Sequence, residues 1–105
     1  MNNSPIYIIV LFNQDKNSKY HTRAVGFCHD LDTAKKMIFE NWLDIFENGY
    51  YDLAVIERML PNQPYCHGSR EEVWYSIRHL DDDKYQIEET SKPTFLESVI
   101  NFGMG

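Results

Sequence analysis

Seven consecutive apolar residues, Ile6-Tyr7-Ile8-Ile9-Val10-Leu11-Phe12, follow directly on Pro5. The run is rich in β-branched and aromatic side chains, which suits a strand, and it is too short to span a bilayer. Successive side chains of a strand point to opposite faces, so a strand that is apolar at every position must be covered on both. That requirement puts it in the interior of its sheet, and the rest of the chain has to be arranged around it. No basic region precedes the run and no small-residue cleavage site follows it, so neither a signal peptide nor a membrane segment is expected. Cys28 and Cys66 then read as buried thiols, not a bridge, of a cytoplasmic protein.

A polar stretch, 13–19, leads to a second strand over 20–27, in which His21, Arg23, Val25 and Phe27 alternate with Tyr20, Thr22, Ala24 and Gly26, the pattern of a half-exposed edge. Asp30 is placed to cap a helix with Asp32 in its first turn, and a period of three to four continues through Leu31, Ala34, Ile38, Trp42 and Ile45. The spacing predicts a helix over 31–48, stopped by Gly49, with Trp42 and Ile38 buried against Ile8 or Ile9. With Phe39, Leu43 and Phe46 beside that stripe, the apolar arc is wider than a sheet alone needs, which favours a homodimer or cover from a terminal helix.

A third strand is expected over 50–59, an irregular loop containing Pro61 and Pro64 over 60–70, and a hairpin of strands 71–79 and 85–89 turned at Asp81-Asp82-Asp83-Lys84. The Thr94-x-x-Glu97 spacing opens a short C-terminal helix. The order is ββαβββα. Bringing the third strand against the first gives a five-stranded antiparallel sheet of order 2-1-3-4-5, an α+β fold with one long helix on a face. With 105 residues and no linker or repeat, 1–105 forms a single domain.

Sixteen acidic residues against ten Lys and Arg give a net charge of −6, which repels phosphate backbones and anionic membranes and suits a basic partner. Direct nucleic-acid and membrane binding are therefore not expected.

Over Thr22-Arg23-Ala24-Val25-Gly26, the segment Asn41-Trp42-Leu43-Asp44-Ile45-Phe46-Glu47-Asn48-Gly49-Tyr50-Tyr51, and Ala54-Val55-Ile56-Glu57, the chain resembles a family of small uncharacterised proteins of Gram-positive bacteria, their phages and mobile elements. Asn101-Phe102-Gly103-Met104-Gly105 is similar to the end of that family. The resemblance carries no assigned activity and transfers no catalytic residue. What it implies is origin, since small proteins of mobile elements often act against host machinery.

Chemistry is mostly excluded by spacing. Cys28-His29 and Cys66-His67 have the ligand types of a zinc site but no knuckle that presents two ligands together, so no metal is expected. His67-Gly68-Ser69 is one half of a two-histidine phosphodiesterase site, and neither His21-Thr22 nor His79-Leu80-Asp81 supplies the other half. Ser69 lies in no nucleophile elbow, and the dispersed glycines build no phosphate loop. No catalytic residue and no cofactor are expected, and a hydrolase of the phosphodiesterase type is the outlying possibility.

Two features remain. The aromatic content, 14% of the chain, exceeds the needs of one core and leaves rings for an interface. His67, Arg70, Arg78 and His79 gather near one hairpin with Trp74 and Tyr75, and Arg23 lies on another strand; arginines with rings suit an anionic, base-containing ligand. The sequence thus points to a non-enzymatic binding module that inhibits a host defence protein by direct contact. The alternative is a sponge that sequesters a small nucleotide-derived ligand through Arg70, Trp74, Arg78, Tyr75, His67 and Arg23.

Overall fold

The computed structural model describes residues 5–14, 20–59, 72–81 and 84–91. Its elements are β1 (Ile6–Gln14), β2 (Tyr20–Cys28), α1 (Leu31–Phe39), a single 3₁₀ turn (Trp42–Asp44), β3 (Leu53–Met59), β4 (Glu72–His79) and β5 (Tyr85–Thr90). The strands form one sheet in the order β2-β1-β3-β4-β5 with every neighbouring pair antiparallel. The apolar first strand is therefore interior, as its composition demands, and Ile9, Val10, Leu11 and Phe12 are fully buried. The expected C-terminal helix and the loop 60–70 lie outside the described residues.

Alternation along the strands builds two cores. On one face Ile9, Leu11, Ala54, Ile56, Tyr75 and Ile77 pack with Ala34 and Ile38 of α1 and with Phe46. On the other, Val10, Phe12, Leu53, Val55 and Trp74 form a second cluster with Ile8 against it. Among the described residues no helix lies on that second face.

α1 starts where its cap residue dictates. The Thr33 N–H donates to Asp30 Oδ1 at 2.7 Å and the Thr33 hydroxyl donates to Asp30 Oδ2 at 2.7 Å. These bonds hold the Asp30 carboxyl below the usual carboxylate range. The helix passes close over β2, where a Cβ at Gly26 would stand 3.0 Å from Met37 Cε. Beside it the β1–β2 register shifts between Ile9 and Val10, leaving Val25 as the extra residue of a bulge.

The helix ends at Phe39, not at 48. β2 finishes at Cys28, opposite Tyr7, and β3 begins at Leu53, opposite Phe12. The crossover has to advance only from Tyr7 to Phe12 along β1, about 17 Å at ~3.4 Å per residue. A helix over 31–48 would measure about 27 Å and overshoot the start of β3, whereas α1 as formed supplies about 13 Å. The remaining residues turn back on themselves, with positive φ at Asn41, Leu43, Asp44, Glu47 and Asn48 and at Gly49. Ile38 is buried as expected, but Trp42 is 40% exposed, which corrects the expectation that it sits at the centre of the core.

Gly49 ends this turn with φ +86°, and a Cβ there would lie 2.7 Å from His79 Nδ1 and 2.9 Å from its Cγ. Gly49→Ala is therefore expected to destabilise the fold by about 1–3 kcal/mol. Urea denaturation checks it; a cost near zero would mean that the turn is not held against β4.

Candidate functional site

Of the residues that the sequence grouped as a ligand site, the four described ones, Arg23, Trp74, Tyr75 and Arg78, do not converge. Trp74 and Tyr75 are each 3% exposed and belong to opposite cores, because neighbours on β4 point to opposite faces. Trp74 tilts against Phe12 with ring centroids 5.4 Å apart, and its indole N–H donates to Glu72 Oε1 at 3.2 Å. Tyr75 meets Phe39 edge-to-face at 5.3 Å, and burial, with the charge of Glu89 added, pushes its phenol pKa up. Neither ring has an open face for a base, which corrects their assignment as stacking residues. Arg78 is exposed on the Trp74 side of β4, opposite Gln86 of β5. Arg23 stands on the helix side of the far edge strand, where its Nη1 lies 2.7 Å from Glu47 Oε2. His67 and Arg70 lie outside the described residues.

Cys28 gives no support to a metal centre or nucleophile. Its thiol donates to the Asp30 carbonyl at 3.2 Å, and burial raises its pKa, away from the reactive thiolate. Among the described residues no three His, Cys, Asp or Glu side chains are grouped to hold a metal. A shallow apolar groove of ≈440 Å³, lined by Ile6, Ile8, Ala24, Val25, Gly26 and Phe27, runs along the β2 edge. Its side chains carry no group able to exchange a proton. No helix among the described residues is long and apolar enough to cross a membrane.

The surface that stands out is the turn after α1. Phe39 is 51% exposed, Trp42 40%, and Leu43 fully so. Their neighbours Glu40, Asp44 and Glu47 are exposed carboxylates, and between Lys36 and Arg58 the chain has no Lys, Arg or His. The turn is tightly built. Asn41 Nδ2 donates to Asp44 Oδ1 at 3.2 Å, Asn41 Oδ1 accepts the Phe46 N–H at 3.0 Å, and Asp44 Oδ1 accepts the Asn48 N–H at 3.1 Å. Phe46 is the internal anchor, fully buried and edge-to-face with Tyr85 at 4.9 Å. Arg23–Glu47 and a bond from Asn13 Nδ2 to the Tyr50 carbonyl fasten the turn to β2 and β1. Tyr51, buried beneath, has its pKa raised by burial first and by Glu47 second.

Sequence reasoning put Trp42 at the centre of the core, and Phe39 and Leu43 beside its stripe on a face for a homodimer or a terminal helix, because all three keep a helical spacing. The signal against it was present in Asn41 and Asn48, residues that favour left-handed backbone, and in the unbroken acidity of the stretch. Comparison with protein families, with curated proteins and with solved structures found no match.

Proposed function

We propose that the protein is a non-enzymatic binding module of phage or mobile-element origin that acts in the cytoplasm by binding and inhibiting a host defence protein. The observation that carries this reading is the exposed apolar group Phe39, Trp42 and Leu43 set among Glu40, Asp44 and Glu47. Aromatic and aliphatic side chains partly or fully exposed along one turn, rimmed by one sign of charge, have the make-up of a protein interface. The family resemblance adds the direction of action, against host machinery.

The immobilised protein and a Trp42→Ala/Leu43→Ser variant, offered the same Gram-positive cell lysate, test the reading. Wild type is expected to retain a discrete protein that the double variant releases. Leu43 is fully exposed and Trp42 is 40% exposed, so the double variant should lose less stability than the ~3–5 kcal/mol of a buried aromatic ring, and its urea denaturation curve separates loss of capture from loss of fold. Equal retention by wild type and variant, or no retention by wild type, overturns the proposal.

A further inference from the structure

We infer that Leu43 is the anchor of a preformed docking loop, and that it enters an apolar pocket rimmed by lysine and arginine side chains on a partner protein. The inference rests on the binding-module reading above and adds the chemistry of the partner's site.

Leu43 has φ 53° and ψ 29°, and its side chain is fully exposed. A left-handed backbone is unfavourable for leucine, whose Cβ crowds the following carbonyl, and an exposed side chain recovers nothing through packing. The other left-handed residues around it have local work: Asn41 and Asp44 close the turn with their side chains, and Glu47 pairs with Arg23. Leu43 contributes nothing to holding the turn and is instead held out by it. An apolar side chain presented on an ordered backbone loses little conformational freedom on docking, which is what an anchor requires.

The charge selects the occupant. Arg23 offsets Glu47, while Glu40 and Asp44 flank Trp42 and Leu43 with no basic side chain following Lys36 before Arg58. The C-terminal end of α1, with its partial negative charge, adds to the same field. A second copy of the chain would bring identical carboxylates face to face, and nucleic acid would be repelled. A pocket with a cationic rim satisfies both the leucine and the acids.

The test uses the intact protein, a Gram-positive cell lysate as the probe, and position 43 alone. Leu43→Gly is expected to melt no lower than wild type, since glycine accepts the left-handed backbone and no contact is lost, yet to retain the captured protein about tenfold more weakly. Retention by wild type should fall as salt rises from about 0.05 M to about 0.5 M. A photoreactive phenylalanine derivative at position 43 should crosslink to a partner peptide containing Lys or Arg. A marked drop in the melting temperature of Leu43→Gly would make the residue structural and overturn the inference. Undiminished, salt-independent capture by Leu43→Gly, or crosslinking to a second copy, would overturn it while leaving the binding-module reading standing. No capture by wild type at all would remove that reading itself.

Discussion

Replacing Phe46 by Ala is expected to lower the free energy of unfolding by about 3–5 kcal/mol, the range for truncating a buried phenylalanine. Phe46 is fully buried within the helix-side core and meets Tyr85 of β5 edge-to-face. Its backbone N–H is held by Asn41 and its carbonyl accepts the Tyr51 N–H at 3.4 Å, so the ring fastens the whole acidic turn to the sheet. Truncation leaves a cavity that a turn built from left-handed residues has little freedom to close. Urea denaturation measures the loss, with Trp42→Ala as the comparison that should shift the midpoint much less. If the two substitutions cost the same, the assignment of Phe46 as anchor and Trp42 as surface is wrong.

The second large effect is at Trp74, where Ala is also expected to cost about 3–5 kcal/mol. Its indole fills the opposite core beside Val10, Phe12, Leu53 and Val55 and keeps its N–H bonded to Glu72. A ring used for stacking a ligand would sit at an open surface, and its removal would spare stability. The protein has two tryptophans, one in each setting, so fluorescence separates them. Trp42 should be accessible to an aqueous quencher and Trp74 shielded. Quenching of the Trp42→Ala variant as efficient as that of wild type would place Trp74 at the surface and restore it as a ligand residue.

How much of this was legible beforehand differs between the sheet and the site. The strands were readable because their signals are local: an unbroken apolar run for β1, alternation for β2, an acid-rich turn between β4 and β5. Within the ligand group the two rings were misread because residues adjacent in sequence were treated as adjacent in space. Trp74 and Tyr75 are neighbours in the chain, but the period of a strand sends them into separate cores. Arg23 and Arg78 lie on different faces of strands that two others separate.

By itself the sequence determined the sheet and its order. One strand apolar on both faces can only be interior, and an edge strand following it with a crossover after that leaves β2-β1-β3-β4-β5 as the simplest antiparallel solution. It also determined where α1 begins, because Asp30 and Thr33 form the cap from residues three apart. Where α1 ends was decided by the tertiary structure. A period of three to four describes which side chains share a face if the helix continues, and carries no information about how far the chain must travel. That distance is set by the sheet, where the strand ends at Cys28 and Leu53 lie opposite Tyr7 and Phe12 of β1. The short crossing stops the helix at Phe39, draws Phe46 inward, and turns Trp42 and Leu43 out into water.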